Sequence, residues 1–313
     1  MANDASTKFI FYQYNPSMVA AIIFIIIFAF SASYHSWQLA RNRTWYFIPF
    51  LIGCLFEFIG YIGRAMSAHE APDFTKNPYI IQSLMLLVGP TLYAASIYMI
   101  LGRLVVLLEA DNYSMIKPRW LTKFFVLGDV LSFFAQSGGG GILATAKDSN
   151  TVKRGENVIL GGLGIQILFF GFFIVVTLVF HIRIGRRPTS KSIILAVPWK
   201  SLIWVLYASS TLIMVRSIFR VAEYVTGRDG VLQSNEVYLY LLDGLQMFIV
   251  AALFNWFHPS RVVNREAQLV SASSIDVLEH GHMMDQQTKD RYALASLAEQ
   301  AGSENSATKF RQT

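Results

Sequence analysis

The ionisable residues of this chain stand where hydrocarbon is expected. The stretch VRSIFRVAEYVTGRDG (215–230) closes an apolar run that begins near Trp199 and carries Arg216, Arg220 and Glu223. Helical positions three, four or seven apart share a face, so the three charges form one stripe, with Ser209 below them. Glu57 and Arg64 repeat the seven-residue spacing in a second apolar run, with Gly60 and Tyr61 between them. Asp129 and Gln136 do so in a third, and Glu236 and Asp243 in a fourth. Arg103 lies near the end of another apolar run. A charge facing lipid costs about 2.5–3.5 kcal/mol or more, so these side chains should point inward, paired with each other or lining a wet cavity. The arginines Arg64, Arg103, Arg216 and Arg220 balance Glu57, Asp129, Glu223 and Asp243. Such a set can serve internal packing alone, although buried ion pairs rarely stabilise relative to apolar packing. It can also bind a charged headgroup, with a carboxylate taking an ammonium and the arginines released as substrate or proton arrives.

The elements that must hold these stripes are membrane helices. The chain has 313 residues, 54% hydrophobic and 15% charged, with mean hydropathy +0.43. Crossing a hydrocarbon core of about 30 Å takes about 20 apolar residues. Seven blocks meet that length, at about 17–40, 45–67, 78–108, 120–146, 157–183, 199–226 and 236–258. The expected fold class is therefore all-α, a polytopic seven-helix transmembrane bundle. Residues 1–16 form a short extracellular arm, 17–258 the bundle, and 259–313 a polar cytoplasmic tail with the composition of a disordered segment. Within the tail, 289–301 could form a weak amphipathic helix, and the histidines at 280 and 282 could bind metal adventitiously. No removable signal peptide is expected at the start.

Basic loop residues set the orientation, because they are retained in the cytoplasm. Arg41, Arg43, Lys117, Arg119, Lys123, Arg183, Arg186, Arg187, Lys191, Lys200, Arg261 and Arg265 fall on one side and outnumber Lys8, Lys76, Lys147, Lys153, Arg154 and Arg228 on the other. The N-terminus is thus expected outside and the C-terminus in the cytoplasm. The net charge of +6 reads as an orientation signal and a contact with anionic lipid, not as a nucleic-acid surface. The sequons at Asn42 and Asn112 fall on the cytoplasmic side, where they would go unused. The single cysteine, Cys54, excludes an intramolecular disulfide.

Glycines and prolines punctuate the runs. Gly138 to Gly141 resemble a phosphate cradle only superficially, since no Lys-Ser/Thr follows. They are expected to allow close helix approach or a break in the helix. Pro90 should kink its helix by removing one backbone hydrogen bond.

Six stretches together resemble one known family, the fungal RTA-like proteins, also called lipid-translocating exporters. They are EFIGYIGR (57–64), YIIQSLMLLVGPTLYAASIYMILGR (79–103), FVLGDVLSFFAQSGGGG (125–141), VRSIFRVAEYVTGRDG (215–230), EVYLYLLDGLQMF (236–248) and FNWFHPS (254–260). The resemblance implies a seven-helix protein, mainly of the plasma membrane. It also implies a role in translocating sphingoid long-chain bases or sterol-like amphiphiles, in stress and drug resistance, and in porphyrin or haem traffic.

Three functions follow as expectations. The first is transport of amphiphilic lipids, with membrane lipids as partners and no cofactor. No P-loop is present, so movement would be facilitated or ion-coupled, and the chain is not expected to be an enzyme. The substrate-binding or coupling set would be Glu57, Arg64, Asp129, Gln136, Arg216, Arg220, Glu223, Glu236 and Asp243. The second is a seven-helix sensor of lipid stress. Against it, LGRLV has no acid before Arg103, and the last helix lacks both an Asn-Pro-x-x-Tyr run and a lysine for retinal. The third is a membrane hydrolase, metal site or haem site built on His35, His181 and His258. Ser31 and His35 have a ceramidase-like spacing, but Phe254 stands where a paired histidine would be needed. Interfacial histidines meeting helix ends or headgroups are the simpler reading.

Overall fold

The computed structural model describes residues 12, 14–145, 148–195, 197–226, 230, 232 and 235–263. The chain divides after Asn264 into two units, and the described residues all belong to the first. The expected tail beyond residue 263, with its amphipathic stretch and its histidines, lies outside the described residues.

Among the described residues seven long helices follow one another: α1 (Met18–Asn42), α2 (Ile48–His69), α3 (Lys76–Leu107), α4 (Pro118–Thr145), α5 (Ser149–Arg186), α6 (Trp199–Val225) and α7. A short helix, Ser190–Ile194, joins α5 to α6. The last helix runs in three pieces: Glu236–Leu239, a π turn over Tyr240–Gly244, and Leu245–Trp256. No strand occurs among the described residues. Local chemistry starts and stops these elements. The Ser17 side chain caps α1 by accepting from the Ala20 N–H, and Arg43 in the left-handed region closes the other end. The Asp148 carboxylate caps α5 at Thr151.

Among the described residues six helices are long and apolar enough to cross a membrane: Met18–Asn42, Trp45–His69, Lys76–Leu107, Asn150–Arg186, Trp199–Val225 and Glu236–Val263. α4 is long enough, but Asp129, Gln136 and the four glycines keep it outside that group. Exposure is inverted relative to a water-soluble bundle. On α1, Val19, Ile26 and Phe30 face outward, while Phe28, Ser31 and His35 are buried. The charged stripes of α2 and α6 point inward, with Glu57, Arg64 and Arg216 all buried.

The two ends of the bundle differ. All six tryptophans, Trp37, Trp45, Trp120, Trp199, Trp204 and Trp256, lie near the helix termini of one end. Contacts tie that end together. Gln38 donates to the Asn255 carbonyl at 2.9 Å, Arg103 lies 4.2 Å from the Tyr46 ring, and Arg183 donates to the Tyr113 carbonyl. Arg41, Lys123 and Lys200 stack over Trp37, Trp120 and Trp199. Tryptophan with basic partners is the chemistry of a membrane–water interface.

Candidate functional site: a buried charge cluster between α2, α3, α6 and α7

Pro90 begins the explanation of this site. It has no N–H, so within α3 the carbonyl four residues earlier, that of Leu86, loses its helical donor. Arg216 supplies one in its place, donating from Nη2 to the Leu86 oxygen at 2.7 Å. From Nε it donates to Asp243 Oδ1. The second Asp243 oxygen meets Arg220 Nη2 at 2.7 Å, and Arg220 Nη1 reaches Glu223 at 2.9 Å. Asp243 sits in the π turn of α7, whose wider spacing takes it off the α-helical register of Glu236. The two acids consequently serve different arginines.

Burial is graded across the cluster. Arg220 and Glu223 keep 16% and 13% of their side chains exposed, whereas Arg216 and Asp243 keep 1% and 4%. Two arginines and two carboxylates here neutralise one another. Glu57, fully buried and within electrostatic reach of Asp243, Arg216 and Arg220, is the acid left without an ion pair. Its Oε1 has no hydrogen-bond partner. Gly89 makes room for it, because a Cβ there would come within 2.8 Å of that oxygen. Tyr61 and Tyr93 flank the acid, and Tyr93 donates to Cys54 at 3.1 Å.

A second network closes the opposite end from the tryptophans. Arg64 donates to Tyr240 and Tyr14, both at 2.9 Å, and pairs with Glu236 at 2.7 Å. Glu236 in turn accepts the Ser17 backbone N–H on both oxygens, anchoring the start of α1. Tyr12 inserts beside this network, donating to Gln82 Oε1 at 2.7 Å and accepting from the Ser67 hydroxyl at 3.0 Å. Burial pushes its hydroxyl up to about 12, so it remains a donor across the physiological range. The stack of Tyr61 on Tyr240, with centroids 6.0 Å apart, links this network to the cluster.

The structure thus brings Glu57, Arg216, Arg220, Glu223 and Asp243 into one site and places Arg64 with Glu236 in the adjoining one. Asp129 and Gln136 belong to neither. Gln136 bonds Ser132 and Gln166, and Ser132 donates to the Gly162 carbonyl at 2.8 Å, which sews α4 to α5. Arg103 is exposed on α3's last turns against Tyr46, so its inclusion in an inward-facing set is corrected. Of the two expectations for Gly138 to Gly141, close approach or a break, the break is corrected, because α4 runs through unbroken. Only Gly139 is in close approach, 2.7 Å from the Gly155 carbonyl by its would-be Cβ.

The histidines stay apart from the cluster. His35 meets the Ala251 carbonyl, His258 meets Ser260, and His181 lies 3.3 Å from the Tyr207 hydroxyl. Among the described residues no group of three or more His, Cys, Asp or Glu could hold a metal ion. Sequence reasoning missed Tyr14, Tyr240, Ser17 and the Leu86 carbonyl. Only the last had a signal, the proline four residues on.

Fold and site define a polytopic, all-helical integral membrane protein with paired charges inside the bundle. Residues 50–266 match the family model described as RTA1 like protein, and the chain belongs to that family. It is 36% identical over 288 residues to Protoporphyrin uptake protein 1 of Saccharomyces cerevisiae, covering 81% of this chain and 93% of that protein. It is 30% identical to Probable lipid transporter atnI of Emericella nidulans, over 80% of this chain and 68% of the relative. With Sphingoid long-chain base transporter RSB1 of S. cerevisiae it shares 26% identity over 78% of this chain and 72% of the relative. No solved structure matches the chain.

Proposed function

We propose that this protein moves amphiphilic lipids with a cationic headgroup, such as sphingoid long-chain bases, across the plasma membrane without hydrolysing ATP. The observation that carries this reading is the surplus carboxylate. Arg216, Arg220, Asp243 and Glu223 pair their charges with one another, and Glu57 is left without an ion pair beside them, its Oε1 unpartnered. A headgroup ammonium entering at the rim formed by Arg220 and Glu223 would supply the missing positive charge at Glu57. The lipid tail would stay against the apolar helix faces. The relatives named as lipid and sphingoid-base transporters support the substrate class.

The same reading makes α4 a seventh span, with the N-terminus outside. Glycines on both helices let it press against α5: a Cβ at Gly139 of α4 would meet the Gly155 carbonyl, and one at Gly162 of α5 the Ser132 carbonyl, at 2.7 and 3.0 Å. A helix so tightly joined to an apolar span shares its depth. The tryptophan-rich, basic end then faces the cytoplasm.

The test is release of a fluorescent sphingoid base from liposomes holding purified wild type or Glu57→Gln. Glu57→Gln should stay folded, because Oε1 has no partner to lose, while outward movement falls to the level of empty liposomes. Full movement by this variant would refute the headgroup role. A second reading, porphyrin handling, is favoured by the relative named for protoporphyrin uptake. Porphyrin carboxylates would engage the arginines, so protoporphyrin movement that survives Glu57→Gln and is lost on Arg220→Gln would select it.

A further inference from the structure

We propose that Asp129 and Tyr98 form a separate binding site for a single positive charge, a proton or a monovalent cation, which couples ion movement to the lipid transport proposed above and so rests on that reading. Asp129 on α4 is 2% exposed, and its carboxylate oxygens close no well-formed hydrogen bond, the Tyr98 hydroxyl being the one group that reaches them. Tyr98 on α3 is fully buried, interacts with the acid, and likewise closes no well-formed hydrogen bond. Phe125, Phe170 and Phe173 surround the tyrosine ring with centroids 5.3, 6.0 and 4.6 Å away. The carboxylate therefore lies in an apolar, aromatic enclosure.

No counter-charge reaches it. On α3, Arg103 lies on the Tyr46 ring, and on α4, Lys123 lies on Trp120. On α5 the sequence holds no titratable residue between Glu156 and His181. Tyr98 is thus the one titratable group facing the acid among the described residues of the helices packed on it. A bare carboxylate in such a place is opposed by a large desolvation penalty, so the group must carry a proton or a bound cation. Releasing that charge requires either a counter-charge or water. Both require α3, α4 and α5 to part, which is what ties occupancy of the site to a change of conformation. The rest of the α4 polar stripe is already satisfied, because Ser132 and Gln136 are bonded to α5. Asp129 is the member left open.

Infrared difference spectra of the whole protein decide the site directly. They should be taken on wild type and Asp129→Asn at neutral pH, in buffers whose sole cation is sodium, potassium or choline. A carboxylic-acid carbonyl band present in all three buffers and missing from Asp129→Asn assigns a proton. A carboxylate band that shifts with sodium or potassium but not choline, and is missing from the variant, assigns a metal cation. An ionised Asp129 indifferent to all three overturns the proposal. Should Asp129→Asn fail to fold, Tyr98→Phe replaces it, since loss of the hydroxyl must shift the Asp129 band. The coupling is read in liposomes carrying a pH or cation gradient. Wild-type lipid release should respond to the gradient, and an equal response by Asp129→Asn overturns coupling. Wild type that moves no lipid at all refutes the transport reading, while the infrared result still decides the site.

Discussion

The α2–α6–α7 cluster and the α3–α4–α5 patch bury carboxylates to the same extent but compensate them differently. Asp243 is held between two arginines, one of which also satisfies the carbonyl freed by Pro90. Asp129 has a phenol and three phenylalanine rings nearby and no cation. Where charge is compensated inside a bundle, removing one partner strands the rest. Where it is not, the acid can be neutralised by substitution with little structural loss. The contrast separates a framework that fixes helix positions from a group free to exchange its charge.

The largest expected effect follows from that difference. Arg216→Gln leaves Asp243 and the Leu86 carbonyl short of donors, and breaking one partner of a buried pair destabilises by about 3–5 kcal/mol. Asp129→Asn, which disturbs only the contact with the Tyr98 hydroxyl, should shift stability by less than about 1 kcal/mol. Apparent melting temperatures in one detergent compare them. Equal shifts would erase the distinction between the two regions. Adding Asp243→Asn to Arg216→Gln should restore part of the loss, because the two residues are directly coupled.

Glycine substitutions sharpen the comparison at the next level. At Gly244, the last residue of the π turn, a Cβ would clash with the Tyr61 hydroxyl and come within 2.7 Å of a Phe24 ring carbon. Gly244→Ala should therefore destabilise by about 1–3 kcal/mol, with partial rescue by Tyr61→Phe. In α4 the effect depends on position within the glycine run. Gly139→Ala should destabilise, whereas Gly140→Ala, with nothing within 4 Å, should stabilise by up to about 1 kcal/mol through helix propensity. Thermal unfolding of the four variants checks the order, and a destabilising Gly140→Ala would mean that this face of α4 is covered by something outside the chain.

How much of this could be read from the sequence depends on which physical rule governs each residue. The stripes of Glu57 with Arg64 and of Arg216 with Arg220 and Glu223 followed from helical periodicity, which is local. Periodicity does not say which helix a stripe meets, so Asp129 was grouped with arginines that lie elsewhere. Nor does it register a π turn, so Glu236 and Asp243 read as one face although they serve Arg64 and Arg216 separately. Arg103 shows a third limit. A long side chain near a helix end can leave the interior, here to lie on Tyr46, and the spacing pattern is the same in either case.

The smallest expected effect concerns the exposed acids that start two helices of the α3–α4–α5 patch. Glu70 accepts from the Thr75 N–H at 2.9 Å and its hydroxyl at 2.7 Å just before α3. Asp148 accepts from Thr151 in the same manner at α5. These hydrogen bonds favour the ionised form and hold both carboxyls below their ordinary values. A folded-state value below the unfolded one gives stability that is fully present above the unfolded value and is lost as pH falls through the folded value. Glu70→Gln and Asp148→Asn should therefore each melt slightly below wild type at neutral pH, and the gap should close as the medium is acidified through the carboxylate range. A gap at Glu70 that persists in acid would mean that Glu70 supports α3 by packing and not by charge. The α3 start would then differ in kind from the α5 start, and the two helices that enclose Asp129 would be anchored by different means.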